Sequence, residues 1–154
     1  FLNGERVPAL PHATGSIVGL DSTNLNQANL CRAVVEGTTF GLRYGLDLLR
    51  DSGIQSANIR LIGGGAKSAI WRQIVADIMD TPVVCTTGSE AAALGAAIQA
   101  AWCHSQADGA NESLQALCER CVSLDPASET RPVAEQVAAY QTVYQHYRNQ
   151  LQGL

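Results

Sequence analysis

Two short aliphatic runs, NIRLI at 58–62 and PVVC at 82–85, are each followed after a turn by a helix-length stretch, AIWRQIVADIM at 69–79 and EAAALGAAIQAAW at 90–102. NIRLI alternates only partly and is bounded by turn residues, as suits a strand buried on both faces. In 69–79 the apolar side chains of Ile70, Trp71, Ile74, Val75, Ile78 and Met79 recur at helical spacing, and Pro82 follows the end. Strands that alternate with helices at these lengths pack as a mainly parallel sheet with helices against it. The expected fold class is therefore α/β.

Other elements follow from the same patterns. Leu30, Val34, Val35, Phe40, Leu42, Leu46 and Leu49 predict a long amphipathic helix over 26–50 with one buried face, closed by Gly53. GSIVGL at 15–20 predicts a short strand, and Ser89 a helix cap. CHSQADGANES at 103–113 and SLDPASETRP at 123–132 are rich in turn formers and predict loops on either side of a short helix near 112–121. Pro132 opens a last helix whose stripe of Val133, Val137, Tyr140, Val143, Tyr144, Tyr147 and Leu151 predicts packing, with the tyrosine hydroxyls in water. Gly95, inside a helix where glycine costs about 1 kcal/mol relative to alanine, predicts close packing onto the sheet or the glycine loop.

With 154 residues, 46% of them apolar, the chain is large enough for one domain with a real core. Fourteen acidic residues against ten basic ones, with no basic cluster, argue against nucleic acid or an anionic membrane as partner. A small molecule is the expected ligand. Five cysteines at irregular spacings, most in apolar surroundings, read as reduced thiols of a cytoplasmic protein. Cys118 and Cys121 lack two further ligands at zinc spacing, so no metal site is expected. No apolar run reaches the roughly 18 residues that span a bilayer. Phe1-Leu2-Asn3-Gly4 starts without an initiator Met, as if within a longer protein.

Between the first strand and its helix lie Gly63, Gly64 and Gly65. Glycines at a strand-to-helix turn expose backbone N–H groups at the positive end of a helix dipole and let a bulky anion approach. They also simply turn the chain, and a single pair would favour that reading. Three in a row, followed by Ala66 and Ser68, point to close approach by a phosphate or nucleotide. Neither common template fits: Lys67 stands too close to the glycines for a Walker loop, and position 68 is Ser where a dinucleotide fingerprint has its third glycine.

GERVP, GSIVGL with NLCRAVVEG, LIGGGAKSAIWRQIVADI and EAAALGAAIQAA occur in the order seen in the carboxy-terminal domain of the FGGY family of carbohydrate kinases, and the chain resembles that family over residues 1–102. Gly15, Gly19, Asn29, Leu30, Ala33, Val34, Val35 and Glu36 have the form of its second signature. The opening FLNGERVPALPHATGSIVGL looks most like the xylulokinase branch.

That resemblance implies an actin-like, ribonuclease-H-type fold in a two-domain enzyme. Residues 1–102 would form the core of the nucleotide-binding domain and 103–154 its helical extension. It implies ATP and Mg2+, a sugar substrate, an amino-terminal kinase domain as partner, and leaves a homodimer open. Gly63, Gly64, Gly65 and Ala66 would lie along the phosphates and ribose; Ser68 stands where relatives often carry an Asn that reaches the adenosine. Lys67 is a candidate phosphate clamp or a solvated side chain. Glu36 is a candidate brace that accepts N–H groups of the glycine loop, or an ordinary surface carboxylate. Glu5 and Arg6 would sit on a turn near the interdomain cleft, as part of that cleft or as a pair with each other.

In this family the catalytic base is an Asp of the first domain, and nothing in this chain matches its motif. No catalytic residue is expected here. The implied activity is transfer of phosphate from ATP to a pentulose, D-xylulose first, with D-ribulose, other pentuloses and the sugar acid gluconate open. A non-catalytic actin-like nucleotide-binding module and a Rossmann-type domain are the readings of other classes.

Overall fold

The computed structural model describes residues 3–88, 90–110 and 112–151. The helices are α1 (Gln27–Asp51), α2 (Ala69–Met79), α3 (Ala91–Ala107), α4 (Leu114–Cys121) and α5 (Ala134–Leu151). The strands are β1 (Ile59–Leu61), β2 (Val83–Thr86) and β3 (Leu124–Thr130), and a 3-10 turn, Gly64–Lys67, joins β1 to α2. The sheet runs β1-β2-β3. β1 and β2 are parallel, with Ile59 opposite Val83 and Leu61 opposite Cys85. β3 is antiparallel to β2.

The β-α-β-α order expected from the two aliphatic runs is present, and α2 has the predicted bounds. β3 corrects the expectation of a loop at 123–132, and makes the sheet mixed. Its Asp, Pro, Ser and Glu residues disfavour strands on average, but an edge strand with one paired side tolerates them. The ladder is irregular between Val83, opposite Thr130, and Cys85, opposite Asp125. Ser128 fills the gap: its Oγ accepts the Cys85 N–H at 2.8 Å and donates to the Asp125 carbonyl at 2.6 Å.

Other differences have local causes. GSIVGL forms no strand among the described residues, and Ile17 and Val18 are exposed. β-Branched residues do not make a strand without a partner to pair with. α3 continues to Ala107, through residues expected as loop, and ends at Gly109, whose positive φ of 74° closes it. A Cβ on Gly95 would meet nothing within 4 Å, so no close contact explains it. Cys85 is buried, whereas Cys31, Cys103 and Cys121 are exposed, against the expected apolar surroundings. Ser89, the expected cap of α3, lies outside the described residues.

α2 is the centre of the core. On one side Val75, Ala76 and Met79 pack with Val83 of the sheet; on the other, Ile74 and Ile78 pack with Phe40 of α1 and Tyr140 and Tyr144 of α5. Through α5, residues after 102 thus join the core of the residues before them. Two arginines of α1 secure the end of α2. Arg43 donates to the Ile78 carbonyl at 2.8 Å and Arg50 to that of Met79 at 2.9 Å, so cations meet the negative end of the helix dipole. Burial lowers the pKa of Arg43, whose guanidinium lies 4.2 Å from the Tyr144 ring centroid.

Within α1 the expected buried face is only partly buried. Thr39, Phe40 and Arg43 are inside, while Val34 is 59% exposed and Leu42, Leu48 and Leu49 are exposed as well. The tyrosines bury their rings as expected, but Tyr140 and Tyr144 do not leave their hydroxyls to water. Tyr140 donates to Glu36 at 2.7 Å and Tyr144 to Asp47 at 2.8 Å.

Candidate functional site

β1 ends at Leu61, and the chain passes through Ile62 into Gly63, whose φ of 89° lies where glycine alone is unstrained. The 3-10 turn then closes with Ala66 N–H on the Gly63 carbonyl at 3.2 Å and Ser68 N–H on that of Gly65 at 2.9 Å. The first N–H groups of such a turn have no acceptor within it. Ser68 caps α2, its Oγ accepting the Trp71 N–H at 3.2 Å; its own hydroxyl proton stays free to donate.

The three glycines have three different reasons. Gly63 supplies the left-handed turn. Gly65 faces the protein: a Cβ built on it would overlap Cζ3 and Cε3 of Trp71. Trp71 is itself held by Thr39, whose buried Oγ1 accepts the indole N–H at 3.0 Å. Gly64 faces open space, with nothing within 4 Å of a built Cβ. A close approach that sequence reasoning assigned to a ligand is, at Gly65, the approach of an indole; Gly63 and Gly64 keep an open backbone, and of these two only Gly63 needs glycine for its positive φ.

A cleft of about 230 Å3 lies beside this turn. Its walls come from the carboxyl ends of the parallel strands β1 and β2, where open α/β sheets bind ligands. Gly63, Ala66 and Lys67 form one side, Cys85 to Gly88 another, and Arg72, Asp125 and Ser128 close it. Lys67 is exposed at its rim. Arg72 reaches back from α2 to donate to the Ala66 carbonyl at 2.8 Å, and the Cys85 thiol approaches the same carbonyl at 3.7 Å. Cation and carboxylate thus stand in one polar recess around a rigid turn, an arrangement able to hold a polar, anionic ligand.

The supporting residues expected from sequence do not gather at the turn. Glu36, expected as a possible brace of the glycine loop, instead binds Arg32 and accepts the Tyr140 hydroxyl. One turn of α1 separates Arg32 from Glu36, so the ion pair forms within the helix and directs the carboxylate to α5. Glu5 accepts the backbone N–H of Arg6 at 2.7 Å, within a hairpin closed by the pairing of Glu5 with Leu10. Its charge, after burial, helps raise the pKa of Tyr147 on α5. Trp71, Arg72, Asp125 and Ser128 were missed. Trp71 and Arg72 read as ordinary helix residues, and Asp125 and Ser128 lay in a presumed loop; an indole two turns beyond a glycine run was the one usable signal.

Residues 1–104 match the C-terminal domain of the FGGY family of carbohydrate kinases. This chain belongs to that family. It is 53% identical over its whole length to a xylulose kinase of Haemophilus influenzae, of which it covers 30%. Among solved structures, the FGGY domain is similar to the ligand-bound xylulose kinase of Lactobacillus acidophilus, with a TM-score of 0.84 and 29% identity over 99% of this chain and 30% of that one. Similarity to the gluconate kinase of the same organism is nearly as high, with a TM-score of 0.82, 29% identity and the same two coverages. The expected ribonuclease-H-like α/β fold is consistent with these likenesses. This FGGY chain spans under a third of the length of those relatives. No helix among its described residues is long and apolar enough to cross a membrane.

Proposed function

We propose that this chain is the nucleotide-binding part of an ATP-dependent sugar kinase, and that D-xylulose is the sugar of the whole protein. The observation that carries the reading is the open backbone at Gly64, on a turn fixed by Trp71 and Arg72 at the carboxyl ends of two parallel strands. Phosphoryl transfer depends mainly on positioning and on donors for developing charge, and a rigid turn with a cationic neighbour supplies both. Gly63, Gly64, Gly65, Ala66, Lys67 and Ser68 would follow the nucleotide, with Lys67 at the phosphates and Ser68 toward the adenosine.

Mg2+ usually enters such sites with the phosphates and with few protein ligands. Among the described residues no group of three candidate ligands gathers, so the nucleotide itself would carry the ion and neutralise the phosphate charge. The base that takes the sugar's proton would come from an amino-terminal domain. Exposed Val34, Leu42, Leu48 and Leu49 on α1 suit a surface covered by the rest of a longer protein.

Specificity for D-xylulose rests on similarity to proteins named xylulose kinase, and the likeness to a gluconate kinase keeps that acid as the second candidate. The test uses the full-length protein. Mg-ATP and ADP are titrated into it and into Gly64→Val, and D-xylulose, D-ribulose and gluconate are compared as acceptors. Binding lost in a folded Gly64→Val variant supports the nucleotide reading, and equal binding sinks it. Phosphorylation of none of the sugars would favour a non-catalytic nucleotide-binding module.

A further inference from the structure

We propose that Arg72 is a positioning residue for the nucleotide, acting through the Ala66 carbonyl; this rests on the reading of the glycine turn as the ATP site. Ala66 is the buried residue of the turn, and its carbonyl is the acceptor for both Arg72 Nη1 at 2.8 Å and the Cys85 thiol at 3.7 Å. A peptide group is planar, so fixing that carbonyl also fixes the direction of the Lys67 N–H and the plane of the turn. Three preceding glycines give the turn no side-chain restraint of its own. Trp71 and Arg72, successive residues of α2, supply it: the indole lies against Gly65 and the guanidinium holds Ala66.

Arg72 also lines the cleft, so its charge adds positive potential where a polyphosphate would lie. Its Nε is buried without a partner among the described residues. An unpaired buried N–H opposes stability, so gain in stability alone does not account for an arginine here. A planar guanidinium offers a directional donor, which an ammonium on a flexible stem does not match.

The experiment compares Arg72→Met, Arg72→Lys and Gly64→Val in the full-length protein, with Mg-ATP and the best acceptor of the sugar panel. Arg72→Met should raise KM for Mg-ATP about tenfold while KM for the sugar stays within about twofold and kcat falls less than tenfold; Arg72→Lys should recover part of the loss. Equal rises in both KM values, or no rise at all, would overturn the proposal. If Arg72→Met does not fold, Arg72→Gln, which keeps a neutral donor, is read by the same KM split. Should Gly64→Val impair Mg-ATP use while folded Arg72→Met does not, Arg72 has no positioning role and the nucleotide reading stands. Should neither variant affect Mg-ATP, the nucleotide reading itself fails.

Discussion

The indole of Trp71 occupies the space that any side chain on Gly65 would need. Gly65→Ala must therefore displace the ring or the turn, at a cost of about 1–3 kcal/mol for overpacking. Gly64→Ala, one residue earlier, meets nothing and should leave stability within about 0.5 kcal/mol. Unfolding midpoints of the two variants of the full-length protein, with tryptophan fluorescence as a probe of the ring, check the contrast. Equal midpoints would mean that the turn yields without cost.

Thr39 sits at the other end of the same indole. It is fully buried, accepts the Trp71 N–H at 3.0 Å and donates to the Val35 carbonyl at 2.8 Å. Thr39→Val keeps the shape but leaves the indole N–H without its acceptor, and should cost about 1–3 kcal/mol. Thr39→Ser restores the oxygen and should recover most of that loss, as read from denaturant midpoints.

Arg43 links three helices, from α1 to the Ile78 carbonyl of α2 and to Gln141 of α5, both at 2.8 Å. Arg43→Met keeps the apolar stem and removes the charged donors, so it should destabilise by about 1.5–3 kcal/mol. A loss under about 1 kcal/mol would show the two links to be weak.

Burial and the bond to Asp47 push the Tyr144 phenol well above its ordinary pKa of 10.0. A raised folded-state pKa means that the folded protein keeps its proton while the unfolded chain releases it. The stabilisation is complete below about pH 10 and is lost as pH rises from there through the folded-state value. Tyr144→Phe should therefore show a shallower loss of stability above pH 10 than the parent. Unfolding midpoints between pH 9 and pH 11.5 test it, and parallel curves would remove Tyr144 as the source. Tyr140 is shifted in the same direction, by burial first and then by its bond to Glu36, so the Tyr144 variant should flatten the slope without abolishing it.

The amino-acid sequence by itself determined the β-α-β-α order, the bounds of α2 and the place of the glycine turn. Those features rest on local causes: apolar residues at helical spacing, Ser68 as a cap, and glycine where φ must be positive. Tertiary structure decided the rest. β3 exists because β2 offers an edge on which a poor strand former can pair, and GSIVGL lacks such an edge among the described residues. Glu36 turned to Tyr140, 104 residues away, and Gly65 proved to be packed against Trp71. Three adjacent glycines look identical in sequence, yet only the packing of α1 and α2 around them separates the one that faces an indole from the two that face open space.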